Sequence, residues 1–206
     1  MKKFLPCLLH FTFCLSACGQ KASPAASPTD DPEQLRRDIG EMLLVGFRGT
    51  TVDSTHHIVR DIRQYHVGSV ILFEYDSRSG GRHRNVSSPQ QLRSLCSYLQ
   101  GLTAERLLIS VDQEGGMVTR LKQRDGFPAT LSPLATAKAG DASVRSNAQV
   151  VARSLRAAGI NLNFAPCVDV NVNPACPVIG KMERSFSENP GRVSQCARIW
   201  IEEQHK

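Results

Sequence analysis

Apolar residues along this chain fall into two alternating rhythms. Four short runs, Met42–Phe47, Val67–Phe73, Leu107–Val111 and Leu162–Val170, are mostly apolar, the pattern of strands buried on both faces. Between them apolar residues recur at three- and four-residue spacing. Leu92, Leu95, Cys96 and Leu99 form one such face, and Val193, Cys196, Ala197 and Trp200 another, each predicting an amphipathic helix. Asp31-Pro32, Ser88-Pro89 and Asn189-Pro190 each place a capping side chain before a proline suited to the first helical position. A further helix is expected from near Asp141, with Val144, Ala148, Val151, Ala152 and Leu155 facing inward and Gly159 just past its end. The last helix shows no glycine, proline or polar stop signal before Lys206.

Short apolar strands alternating with amphipathic helices predict an α/β fold of parallel strands joined by right-handed crossovers. Periodicity alone leaves an open doubly wound sheet and a closed barrel both available. The absence of G-x-G-x-x-G after the first strand weighs against a dinucleotide-binding sheet. Ser79-Gly80-Gly81-Arg82 is the one cluster that suits a phosphate, and it reads better as a basic surface loop.

The first thirty residues follow a different rule. Lys2 and Lys3 precede a mainly apolar stretch from Phe4 to Leu15, and Leu15-Ser16-Ala17-Cys18 then puts small residues before a cysteine. This is a secretory pattern, too short for a spanning helix. It is similar to the lipobox at which bacteria cleave and lipidate, which makes residues 1–17 a signal peptide and Cys18 the lipid-bearing residue. Residues 18–30, rich in Ala, Ser and Pro, read as a flexible tether leading into a domain at 31–206. The expected location is the cell envelope, at a membrane surface on the periplasmic or extracellular side.

Composition changes this picture little. Hydrophobic residues at 41% and charged residues at 21% suit an ordinary globular domain. The formal net charge of +6 is mild and scattered, and part of it sits on Lys2 and Lys3, so nucleic acid is not an expected partner. Cys96, Cys167, Cys176 and Cys196 show no metal-site or C-x-x-C spacing, and the six histidines form no ligand motif, so no metal or other cofactor is expected. Cys96 belongs to a helical apolar face and is expected to pack there.

Chemistry gathers where the strands end. Arg48 and Gly49 follow the first run, and Glu74, Tyr75 and Asp76 the second. Asp112, Glu114 and Arg120 follow the third, and Asp169, Asn171 and Arg184 the fourth. In a barrel such exits converge on one rim, where carboxylates and guanidinium forks can each engage two polar groups of a ligand. Asp169 and Glu114 also have local readings: Asp169 as a cap of its loop through backbone N–H bonds, Glu114 as the acid orienting the Gly115-Gly116 turn.

Val111-Asp112-Gln113-Glu114-Gly115-Gly116, with Val118 and Arg120, is followed in order by Asn163-Phe164-Ala165-Pro166, Asp169-Val170-Asn171, Gly180 and Arg184-Ser185-Phe186. This series resembles the family 3 glycoside hydrolases, in particular the bacterial β-N-acetylglucosaminidases. The resemblance implies a (β/α)₈ TIM-type barrel of which only about the first half is present, since a full barrel takes eight strands and about 250 residues. It implies an amino-sugar glycoside, such as a peptidoglycan fragment, as the carbohydrate partner. Asp112 would accept hydrogen bonds from sugar hydroxyls, with Arg120 and Arg184 helping to hold the substrate. Met117 stands where many members carry another arginine. The family's nucleophilic aspartate lies on a late strand, and its histidine acid/base follows a Lys-His-Phe-Pro-Gly-His stretch. Neither occurs in the 206 residues, and Asp112 and Glu114 are not expected to substitute. The competing reading is a non-catalytic sugar-binding or vestigial lipoprotein of the envelope, sharing the same rim and anchor.

Overall fold

Residues 31–206 are described by a computed structural model. The expectations for residues 1–30, the signal peptide, the lipidated Cys18 and the tether, lie outside the described residues.

Each of the four apolar runs supplies one strand of a single parallel sheet. β1 (Leu44–Gly46), β2 (Ser69–Ile71), β5 (Leu108–Val111) and β6 (Leu162–Asn163) lie side by side in that order. A two-stranded antiparallel hairpin, β3 (Tyr75–Asp76) and β4 (Gly81–Arg82), interrupts the connection after β2. The Ser79–Arg82 cluster is therefore the turn and return strand of this hairpin, with Arg82 paired to Asp125 at 3.3 Å.

Register explains why one face is covered and the other is not. Val45, Val70 and Ile109 are aligned neighbours and point the same way, as do Leu44, Ser69 and Leu108 on the opposite face. Val70 and Ile109 are fully buried beneath the helices, whereas Leu44 and Leu108 are 41% and 42% exposed. Gly46, Ile71, Ser110 and Leu162 continue the uncovered face. In a closed barrel that face would line the interior.

The helical faces pack as their spacing predicts. α3 (Pro89–Gln100) buries Leu92, Leu95, Cys96 and Leu99, and α6 (Pro190–Gln204) buries Val193, Cys196, Ala197 and Trp200. α5 (Asp141–Ala158) buries Val144, Ala148, Val151 and Leu155, with Ala152 only half-buried, and ends at Gly159 with φ 82°. All three capping side chains accept backbone hydrogen bonds. Asp31 takes the N–H of Glu33 at the start of α1 (Pro32–Glu41), Ser88 that of Gln91, and Asn189 those of Gly191 and Arg192. Each bond satisfies a donor that the first helical turn leaves unpaired.

Two departures from the sequence reading matter. The fourth run, expected to extend to Val170, is a strand only over Leu162–Asn163. β6 has a neighbour on one side only, and Pro166 offers no N–H for a ladder. The segment from Phe164 to Asn189 is irregular instead, tied by Ser185 Oγ at 2.6 Å from the Asp169 carbonyl. Two helices were not anticipated, α2 (His57–Tyr65) and the short α4 (Pro133–Lys138).

Candidate sugar-binding rim

β5 delivers its polar residues onto a turn that only glycine permits. Gly115 and Gly116 have φ of 98° and 60°, and a Cβ on Gly115 would lie 2.2 Å from the Leu131 carbonyl oxygen. The turn is closed by the N–H groups of Glu114 and Gly115, both donating to the Val118 carbonyl. Glu114 therefore does not orient the turn through its side chain, which corrects the local reading of this acid. The buried carboxylate instead receives Arg184, from Nε at 2.9 Å and from an Nη at 2.7 Å. This bidentate pair holds the Arg184 guanidinium above its usual pKa.

Gln113 is buried and organises the rest of the loop. Its side-chain oxygen accepts from the N–H groups of Arg120 and Leu121 at 2.8 and 3.0 Å, and its amide donates to Thr119 Oγ1. Its backbone is clamped to the Asn163 side chain, which accepts from the Gln113 N–H and donates to its carbonyl. The loop is thereby folded back so that Arg120 reaches Asp112 at 2.9 Å. The same guanidinium lies 3.7 Å from Glu74, whose other oxygen is 3.4 Å from Lys122. Exits of β2 and β5 thus meet in one half-buried charge cluster, with Arg120 also 5.6 Å from the centroid of the Phe73 ring.

The remaining exits join at their own points. Arg48 after β1 grips Asp76 in bidentate fashion and holds its carboxyl well below the usual range. The Asn85 side chain accepts from the Phe73 N–H and donates to the carbonyls of Phe47 and Gly49, tying the first two exits together. Asp169 is exposed, and its carboxylate receives the Cys167 thiol at 3.0 Å rather than backbone N–H groups, which corrects its expected capping role. Burial, followed by this contact with Asp169, pushes the Cys167 thiol up to about 11. The four described cysteines are free thiols, two of them buried. Among the described residues no group of three or more His, Cys, Asp or Glu side chains is placed to hold a metal ion.

The structure therefore sets Asp112 against Arg120, and Arg184 against Glu114 rather than beside Asp112. Sequence reasoning missed Gln113, Lys122, Phe73 and Arg84, whose guanidinium carbon lies 4.8 Å from the Phe73 ring centroid, as parts of the rim. Gln113 had a signal, since it lies inside the acidic glycine-bearing motif; Phe73 and Arg84 look like ordinary core and loop residues. Away from the rim, a cleft of about 350 Å³ runs along the free edge of β6 between Arg106, Asn163, Ala165, Ile201 and Gln204. Its lining offers no carboxylate.

Comparison with known proteins identifies the fold to which these strands belong. The chain is 39% identical over 142 residues to β-hexosaminidase A of Pseudoalteromonas piscicida, covering 65% of this chain and 22% of that protein. It superposes on the family 3 β-N-acetylglucosaminidase of Paenibacillus sp. FPU-7 with a TM-score of 0.73 at 34% identity, covering 83% of this chain and 31% of that one. NagZ of Neisseria gonorrhoeae, solved in complex with N-trifluoroacetyl-D-glucosamine, gives a TM-score of 0.68 at 26% identity, over 80% of this chain and 47% of that one. The chain spans less than half the length of each. Residues 34–206 match the glycosyl hydrolase family 3 N-terminal domain, and the chain belongs to that family.

Proposed function

We propose that the protein works in the hydrolysis of β-linked N-acetylhexosaminides, removing terminal N-acetylglucosamine from glycosides such as peptidoglycan fragments. In this reading the described residues supply sugar recognition. Asp112 accepts hydroxyl hydrogen bonds while Arg120 and Arg184, fixed by their carboxylate partners, donate to the sugar. The observation that carries the reading is the Asp112–Arg120 pair, held at a strand exit by the buried Gln113. The 206-residue chain alone turns over no glycoside. A retaining glycosidase needs a nucleophile and an acid/base about 5–5.5 Å apart in the usual two-carboxylate form. Asp112 and Glu114 are instead each committed to an arginine. The protein is held at the cell envelope by lipid on Cys18.

The test compares two proteins on p-nitrophenyl N-acetyl-β-D-glucosaminide. One is the 206-residue chain; the other is the same chain joined to the catalytic half of a family relative. The expected result is no p-nitrophenol from the first and turnover by the second, lost on Asp112→Ala by several kcal/mol of transition-state binding. Release by the 206-residue chain, abolished by Asp112→Ala, would overturn the division of labour. A joined chain whose kcat/KM ignores Asp112→Ala would remove Asp112 from the site.

A further inference from the structure

The Ser79–Arg82 turn has no part in the sugar rim, yet the fold builds a charged cluster around it. Tyr75 and Arg82 are paired across the β3–β4 hairpin, so their side chains share one face of the ribbon. Asp76 points to the other face, where Arg48 grips it and pins the ribbon to the β1 exit. On the Tyr75 side Arg82 reaches Asp125 at 3.3 Å, and the same carboxylate meets His83 Nε2 at 3.3 Å and Arg124 Nε at 3.8 Å. Asp125 is buried, whereas Arg82, His83 and Arg124 are each about half exposed. Arg78 stands exposed on the turn, and no described carboxylate lies within 4.0 Å of its guanidinium. Glu74, at the base of the hairpin, is already committed to Lys122 and Arg120.

Three outward guanidinium groups thus share one buried carboxylate, beside an exposed tyrosine ring. Positive charge is left uncompensated there, on planar forks that match phosphate oxygens. Spread along a hairpin and the adjoining 3₁₀ turn, Gln123–Asp125, the groups suit an extended anionic surface rather than one small anion. Arginine with tyrosine is also the combination that settles among lipid headgroups. We propose that this hairpin face docks on the anionic phospholipid headgroups of a membrane. It is separate from sugar recognition, since Arg82 and Arg124 pair with Asp125 and not with Asp112 or Glu114. Lipid on Cys18, in the reading above, would make a bilayer the nearest polyanion: the thirteen residues 18–30 extend to at most about 45 Å. The cluster itself does not depend on that lipid.

The test is flotation of the 206-residue chain carrying Cys18→Ser, which bears no lipid, with two kinds of vesicle. One is phosphatidylcholine alone; the other is phosphatidylcholine and phosphatidylglycerol in equal parts. Lys2, Lys3 and the apolar run after them are present in every sample and cancel between variants. This chain should bind the anionic vesicles at least about tenfold better than the neutral ones, with the difference shrinking at high salt. Each arginine near an anionic surface is worth about fivefold, so Arg78→Glu, a change of two charges, should cut anionic binding about 25-fold and leave neutral binding unchanged. Arg82→Gln combined with Arg124→Gln should cost a similar factor; if the orphaned Asp125 prevents folding, Arg78→Glu carries the test. Arg198→Glu makes the same change in net charge on the exposed side of α6, outside the cluster, and should cost less than about threefold. Equal losses for Arg78→Glu and Arg198→Glu would reduce the effect to net charge and overturn the docking face, as would equal binding to both vesicles before any arginine is changed. Arg78-dependent binding of inorganic polyphosphate without binding of anionic vesicles would show that the partner is a soluble polyanion and the membrane assignment is wrong. None of these outcomes touches the sugar reading, which Asp112→Ala tests.

Discussion

Replacing Glu114 by Gln removes one charge from the rim and almost no volume, so its cost reports the Glu114–Arg184 pair directly. The Glu114 side chain is 3% exposed and accepts two short hydrogen bonds from Arg184. Breaking a buried ion pair from one side costs about 3–5 kcal/mol, because the other charge is left behind. Arg184 is 23% exposed, so water takes up part of that burden. The expected loss is about 2–3 kcal/mol of folding stability, less than the full buried-pair penalty. Asp112→Asn provides the contrast: that pair is 27% and 21% exposed with one short hydrogen bond, and about 1 kcal/mol is expected. Urea denaturation of the single variants and of Glu114→Gln with Arg184→Met measures both. The double variant should cost clearly less than the two singles together, since removing both partners leaves no orphaned charge. A Glu114→Gln loss below about 0.5 kcal/mol, or additive singles, would show that the pair is not what joins the last exit to β5.

Gly115→Ala should cost about 3 kcal/mol in the same assay, from left-handed strain and from a Cβ driven against the Leu131 carbonyl, where backbone cannot yield. A cost under about 1 kcal/mol would mean the turn relaxes freely. Glu203 on α6 is pulled down to about 2 from 4.5 by Lys206 first, then Gln149 and Arg145. A carboxyl lowered on folding stabilises above its unfolded pKa, and that contribution is lost as pH falls from about 4.5 towards 2. Thermal melts should therefore drop more steeply over that window in the wild type than in Glu203→Gln; parallel profiles would count against it. Cys18→Ser should release the expressed protein from membranes, whereas native protein with Met1 intact and a free thiol at Cys18 would refute lipidation.

Much of the fold was legible because its signals are local. Asp31, Ser88 and Asn189 announce helices through side chains that bond within three residues, and a proline beside each fixes the first turn. α2 escaped notice although Ile58, Val59 and Ile62 have helical spacing, since its cap is His56, outside the usual set of capping residues. The β3–β4 hairpin was equally hard to read, its strands being two residues each. In the site, Asp112 and Arg120 were readable as the two ends of one motif, eight positions apart. Their contact depends on Gln113 accepting two backbone N–H groups, which spacing does not reveal. Glu114 and Arg184 are 70 residues apart, and nothing local distinguishes an acid that holds a turn from one that waits for a distant arginine.

Polarity along the uncovered sheet face follows from the same charge pairs. At the amino end of the strands stand Leu44 and Leu108, exposed and apolar; beyond the carboxyl end stand Phe73, Arg84, Asp112 and Arg120. Side chains on a bare face usually move with solvent, yet here each exit is fastened to its neighbour. Arg48–Asp76 ties the β1 exit to that of β2, Arg120–Glu74 ties β2 to β5, and Glu114–Arg184 ties β5 to the segment after β6. The outer core beneath, with Val70, Ile109 and Val111 fully buried, holds the backbone from which those side chains project. Rim geometry is therefore set by the helix-covered face and by cross-strand ion pairs, and not by whatever packs against the inner face. Under the proposed function, that separation lets recognition groups be preorganised in these four strands while bond-breaking groups come from elsewhere in a full barrel.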